Sequence, residues 1–285
     1  MKTISISELM PLATQAWPDL CDYTVGFVKA VETSKENEQP VYDGVLAGSG
    51  VLVTSNGMRA ILTADHVLKN LPKTEVVGLV LLSSFDTSHH RYLLDMQHVK
   101  QVTVARGEDE ALGPDLALLI LPDIPLGALQ TKKTFHNLDK RKARMLAEGR
   151  ALEGPWVMCG FVGEMTQKIP ALRGMKGAIS FRGLCGPVVV TRRRKDDQFD
   201  YFSAEVNYGK NFGLPESFGG CSGSGLWRLV LSEENGVNKL DEVSLGGIAY
   251  YESAPDGGHR FVEFHGRCSI YDKVMKCLAD HSVAS

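Results

Sequence analysis

The chain has 285 residues, 44% of them hydrophobic and 23% charged, with a formal net charge of −3. That is an ordinary globular composition with enough length for a sizeable core, and it carries no global field for nucleic acid or an anionic membrane. No stretch approaches the ~20 apolar residues needed to span a bilayer. The opening "MKTISISELMPLATQAW" lacks the basic start and continuous apolar core of a secretory signal, so a cytoplasmic location is expected.

In chain order, Ser5 or Ser7 is placed to cap a short helix over roughly residues 7–16, ended by Pro18. Strand signals follow: "YTVGFVKAV", "GVLAGSGVLVT", "MRAILTADHV", "TEVVGLVLLSS", "MQHVKQVTVA" and "DLALLIL". "SNG" at Ser55–Gly57 reads as a hairpin turn. Residues 122–150 change character. "TKKTFHNLDKRKARMLAEGR" is basic and low in β-branched residues, and reads as a connector over the surface. Strand signals resume with "PWVMCGFVG", "KGAISFRGLCGPVVVTRR", "FDYFSAEVNYG", "SGLWRLVLS", "EVSLGGIAYYE" and "HRFVEFHG". "TRRRK" is followed at once by two aspartates and reads as a solvated hairpin tip. The last segment, "SIYDKVMKCLAD", has the look of a helix, with Ser269 and Asp272 as a capping box and Ile270, Val274 and Leu278 on one face.

Short strands at close spacing without βαβ alternation predict an all-β protein of sandwiches or barrels. The expected division is an N-terminal extension (1–22), a first β-unit (23–121), a connector (122–150), a second β-unit (151–268) and a C-terminal helix and tail (269–285). The six cysteines include no CxxC pair, so no zinc site is expected, and no other metal or cofactor is called for.

Acyl transfer at neutral pH needs a nucleophile, a base, a carboxylate that orients the base, and backbone N–H groups for the oxyanion. Three local contexts suit these roles. His66 in "ILTADHVL" follows an apolar strand, whereas His89, His90 and His281 lie in polar stretches. Asp115 in "GPDLALLILP" heads an apolar run, where a buried carboxylate needs a partner. Taken singly, each would be read as structural: a core histidine, a turn-forming aspartate. "GGCSGSGLW", residues 219–227, holds Cys221, Ser222 and Ser224 among four glycines that permit positive φ. Its position before a core strand argues against a linker.

In the order His, Asp, Ser, these contexts resemble the trypsin-like (chymotrypsin-fold) serine proteases. "GSGVLVTSNGMRAILTADHVL" is similar to the region around that family's catalytic histidine, "DLALLIL" to its aspartate motif, and "GCSGSGLW" to its "GDSGGPL" loop. The separations of 49 and 107 residues also suit. The resemblance implies two six-stranded antiparallel β-barrels with the site between them. It implies Ser222 as nucleophile, His66 as base and Asp115 as its orienting partner, and an oxyanion hole from the N–H groups of Gly220 and Ser222. The implied activity is serine endopeptidase cleavage of a polypeptide substrate. "GGIAYY" looks like the strand that binds the substrate backbone, which makes Ala249, Tyr250 and Tyr251 substrate-binding candidates. Glu216, six residues before Ser222, falls near the pocket base and implies a preference for a basic side chain.

Two departures qualify the resemblance. Cys221 stands where digestive members carry the aspartate that receives a newly cut N-terminal ammonium. Trimming therefore is not expected to switch this chain on; it resembles bacterial, intracellular members that lack the pair. Asp65 stands where a small residue is common, and an exposed loop acid is expected there. The alternatives kept open are a catalytically silent protease fold used for binding, and an effector activated by a separate regulatory protein.

Overall fold

The computed structural model describes residues 6–36, 39–73, 75–84, 90–109, 111–147, 154–169, 178–196, 198–209, 213–255 and 258–282. Ser5, His89 and the end of the connector (148–150) lie outside these, as does the side chain of Ser7. The order begins α1 (Ile6–Tyr23), β1 (Thr24–Glu36), β2 (Gln39–Ser55), β3 (Met58–Thr63), α2 (Asp65–Lys69), β4 (Val76–Leu81), β5 (His90–Asp95), β6 (Lys100–Arg106) and β7 (Asp115–Ile120). The connector holds α3 (Asp123–Gln130), β8 (His136–Asn137) and α4 (Lys142–Ala147). Then come β9 (Trp156–Phe161), β10 (Gln167–Ile169), β11 (Ala178–Ser180), β12 (Gly183–Asp196), β13 (Phe199–Val206), β14 (Gly225–Glu234), β15 (Val237–Glu252) and β16 (Phe261–His265). A π-helical turn over Ser269–Val274 leads into α5 (Met275–Ser282).

The protein is mostly β-sheet with a C-terminal helix. The first sheet runs β5-β4-β1-β2-β3-β7-β6 through antiparallel pairs, with β8 joined in parallel to Val53–Thr54 of β2. It therefore has eight strands, and among the described residues its end strands β5 and β6 each have a single partner, in place of the expected closed six-stranded unit. The two residues of β8 come from the connector, so the added pairing is a tertiary event. In the second sheet, the pairings β12-β13-β16-β15-β14-β9 return to their start, closing six strands. The β2–β3 hairpin turns at Asn56 (φ 50°) and Gly57 (φ 76°), the two positive values a type I′ turn requires.

Alternation explains the continuous apolar runs. In β7, Leu116, Leu118 and Ile120 join a cluster shared with the second sheet and the helices, while Ala117 and Leu119 line the first sheet's other face. β2 and β3 divide in the same way: Val51, Val53 and Leu62 on one side, Leu52 and Ile61 on the other. Both faces are buried, so no polar alternation is left to see. A third cluster, with Trp156, Met158, Phe202, Leu226 and Phe264, fills the second sheet.

α1 runs through Pro18 rather than ending at it. A proline inside a helix costs about 3 kcal/mol, but Leu12, Ala16 and Leu20 are fully or nearly buried one turn apart against Val157, Trp227 and Leu245. That burial outweighs the lost hydrogen bond. The C-terminal helix is present and Ile270, Val274 and Leu278 are its buried face, but Ser269 is not its own cap. Asp200, at the start of β13, accepts the Ser269 N–H through Oδ1 at 2.8 Å and the Ser269 hydroxyl through its carbonyl at 3.0 Å. "TRRRK" forms the exposed end of β12, with Lys195 opposite Asp200.

Candidate active site

His66 is placed by its neighbour. β3 ends at Thr63, and α2 starts at Asp65 after one extended residue. Asp65 is 1% exposed, not the surface acid expected. Its carboxylate accepts from Thr103 Oγ1 and Arg106 Nη1 of β6 and pairs with Lys69 one turn on. Burial pushes its pKa up, but these donors outweigh burial and the net shift is downward. The contacts to Thr103 and Arg106 fasten α2 to β6, the Lys69 pair lies within α2, and together they set the backbone from which His66 projects.

Asp115 grips His66 twice. Its Oδ1 accepts the His66 backbone N–H at 2.9 Å, and its Oδ2 meets the ring Nδ1 in a very short contact. Both carboxylate oxygens on one residue fix the imidazole's orientation. Burial raises the Asp115 pKa, but the His66 ring and backbone donors and the Arg106 charge bring it below the usual carboxylate range. An ionised Asp115 assigns the proton to Nδ1 and leaves the Nε2 lone pair available. Asp115 is nearly buried, whereas the His66 side chain is about one-quarter exposed.

A second histidine touches the same aspartate. The Asp115 N–H donates to Nε2 of His265 in β16 at 2.9 Å. His265 is fully buried beside Tyr250 and Tyr201, with ring centroids at 4.9 and 5.1 Å. Burial drives its pKa down to about 4, so this imidazole is neutral. Sequence reading missed it: in β16 the barrel-facing positions are Val262 and Phe264, and His265 falls on the same side as Glu263.

The candidate nucleophile loop is shaped by its glycines. Gly220 and Gly223 both have φ of 88°. A Cβ on Gly223 would lie 1.8 Å from the Ser49 carbonyl, so only glycine permits this approach to β2. The loop is pinned by Cys221 N–H to Phe218 O (2.8 Å), Ser224 N–H to Cys221 O (2.8 Å), Gly223 N–H to Ala249 O (2.7 Å) and Ser49 N–H to Ser222 O (2.7 Å). The last bond sets Ser222 against the "GSG" segment. There a Cβ on Gly48 would lie 2.6 Å from Val67, the residue after His66, and 3.1 Å from the Ser222 carbonyl. Gly48 thus lets the two halves meet.

Two peptide planes follow. The Gly219 carbonyl accepts from Gly163 N–H at 2.8 Å, and the Cys221 carbonyl from Ser224 N–H. In a trans peptide the N–H points opposite its carbonyl. The N–H groups of Gly220 and Ser222 are therefore turned away from those contacts, and neither has an acceptor among the described residues.

The three candidate nucleophiles separate by burial. Cys221 is 2% exposed in an apolar cluster; burial, then the charge of Glu252, pushes its thiol up to about 12. Ser224 is fully buried, its Oγ packed where a Cβ on Gly160 would fall 1.7 Å away. Only Ser222 is partly open to solvent. No hydrogen bond joins its Oγ to the His66 ring among the described residues.

The substrate-binding candidates fare differently. Ala249 is buried, its carbonyl and N–H both taken by the loop, at Gly223 N–H and Ser224 O. Tyr250 is buried against His265, its hydroxyl donating to Ala111 O at 3.3 Å. Tyr251 is half-buried opposite Glu263. Glu216 lies exposed on the loop, its N–H bonded to Glu164 at 2.7 Å. The acid beside the loop is instead Glu252, which no local signal in the sequence marked. Among the described residues no group of three or more His, Cys, Asp or Glu is placed to hold a metal ion, and no helix is long and apolar enough to cross a membrane. No protein-family model matches the chain, and comparison with curated proteins gives no match.

Proposed function

We propose that the chain is a serine endopeptidase of the trypsin-like kind, acting through an acyl-enzyme. The observation that carries this reading is the double hold of Asp115 on His66, set beside a loop in which Ser222 alone of three nucleophile candidates is accessible. Ser222 Oγ attacks the carbonyl carbon of a peptide bond while His66 Nε2 takes its proton. The carbonyl oxygen gains the negative charge and is met by the N–H groups of Gly220 and Ser222. His66 then returns the proton to the leaving amine, and water repeats the sequence on the acyl-enzyme. Positioned proton transfer is worth about 10²–10⁴ in rate, and each oxyanion donor about 10²–10³. Asp115 stays ionised throughout and stabilises the imidazolium. The substrate is an extended polypeptide.

The test is labelling of the purified chain by a fluorophosphonate. One equivalent bound by the natural protein and none by Ser222→Ala is the expected result; labelling that survives Ser222→Ala overturns the assignment. A second reading, a protease completed by a regulatory partner, is favoured by the missing Ser222–His66 hydrogen bond. Catalytic hydrogen bonds are often loose without substrate, so the same experiment repeated with a bound peptide separates the two.

A further inference from the structure

Cys221 removes from this loop the ion pair that an acidic residue there could make, yet the loop is formed. The Glu252 carboxylate lies at the end of β15, directly behind it. Its Oε1 accepts the Phe218 N–H at 2.9 Å, and its Oε2 accepts the Ser217 hydroxyl at 3.1 Å. The same Ser217 oxygen accepts the Gly219 N–H at 3.2 Å. The Gly219 carbonyl is taken by Gly163 N–H at 2.8 Å. Residue 219 is thus held at both ends, and its carbonyl belongs to the peptide whose N–H is that of Gly220. Arg260 completes the chain from the far side, in a close ion pair with Glu252 Oε1. Its guanidinium also sits 5.3 Å from the centre of the Tyr208 ring. Both side chains are largely shielded, at 14% and 17% exposure, so removing one leaves the other an uncompensated charge.

We infer that Glu252, held by Arg260, is a positioning residue that orients the Gly219–Gly220 peptide and thereby the oxyanion donor of the nucleophile loop. The inference rests on the proposed acyl-transfer function for its catalytic consequence, but not for its structural one. Glu252 touches neither substrate nor the reacting atoms; it acts through Ser217 and Phe218. The loop is then formed without a free N-terminus, by a carboxylate supplied from a neighbouring strand.

The experiment uses the full chain with Glu252→Ala and Glu252→Gln, and two readouts. The first is amide hydrogen exchange over 213–225, against β9 and β13 as internal standards. The second is the fluorophosphonate reaction, resolved into its affinity and its maximal bonding rate. Glu252→Ala is expected to speed exchange at 217–220 about tenfold or more, leave the standards unchanged, and lower the maximal bonding rate about 10²-fold with little change in affinity. Glu252→Gln keeps the volume and one acceptor, and is expected to fall between. Unchanged exchange at 217–220 in both variants overturns the inference. So does local loosening with an unaltered bonding rate. If Glu252→Ala loosens the standards as well, Glu252→Gln decides by the same criteria. If the natural protein takes no label while exchange at 217–220 still responds, the proposed function fails and the anchoring role stands.

Discussion

The two halves of the site are built on different physics. On the first sheet, His66 and Asp115 are held by charge and side-chain hydrogen bonds: Asp65 to Thr103, Arg106 and Lys69 on one side, Asp115 to His66 and His265 on the other. On the second sheet, Ser222 is held by backbone geometry, through two left-handed glycines, four backbone bonds and the burial of Phe218 and Cys221. In the proposed acyl transfer the base must keep one tautomer and one orientation, which a doubly bonded carboxylate supplies. The nucleophile must leave N–H groups unspent, which calls for a tight turn whose carbonyls are pinned elsewhere. Perturbations should therefore separate: charge changes at Asp65 and Asp115 act on the first half, and steric change in the loop or loss of the Glu252 anchor acts on the second.

The largest expected effect breaks the first half alone. Asp115→Asn removes the charge and reverses the hydrogen-bond demand on Nδ1, so the rate of fluorophosphonate labelling should fall on the order of 10³–10⁴-fold. Exchange over 213–225 should stay unchanged, and a loosened loop would mean that the halves are not independent. Next comes the second half. Gly223→Ala places a Cβ 1.8 Å from the Ser49 carbonyl at φ 88°. The strain and overlap together are expected to cost about 3–5 kcal/mol, read by urea unfolding. A loss under 1 kcal/mol would show that the loop does not approach β2 as described.

The third effect is on stability against pH. His265 binds its proton near pH 4 when folded and near 6.5 when unfolded, so the unfolded chain protonates first. Its contribution is full above about pH 6.5 and is lost as pH falls toward 4, a change of roughly 3 kcal/mol. His136, fully buried and also lowered, acts in the same direction. Urea midpoints at pH 7, 5.5 and 4 measure this, and His265→Gln should flatten the slope; a flat profile in the natural protein would exclude a buried neutral His265. The smallest effect is at Glu216, which is exposed. Glu216→Gln should change stability by less than about 0.5 kcal/mol and leave cleavage preference among peptides unaltered. A lost preference for basic residues would return it to the pocket.

How much could be read in advance follows how local each feature is. His66, Asp115 and Ser222 each sit in a distinctive short context, which marks them as candidates, and of these the structure joins His66 to Asp115. The strands of β7 and β9 were visible as apolar runs because both of their faces are buried. The features that escaped depend on distant partners. Asp65 looks like a loop acid until Thr103 and Arg106 arrive from 38 and 41 residues away. His265 meets Asp115 across 150 residues, and Glu252 meets Phe218 across 34. Pro18 is a sound stop signal locally, and it fails because Leu12, Ala16 and Leu20 are needed in the core. Lys133 belongs to the connector that is expected to run over the surface. It is 4% exposed, donating to the carbonyls of Cys21, Thr24 and Leu82 where α1, β1 and β4 converge.

The central claim is that the two halves meet at one atom, Ser222 Oγ. The most direct test is to let a fluorophosphonate react to completion, digest the protein and locate the adduct by mass spectrometry. The account predicts a single adduct on Ser222, formed at least 10³-fold more slowly in His66→Ala. An adduct on Ser224 or Cys221, or one on Ser222 that forms equally fast without His66, would contradict it.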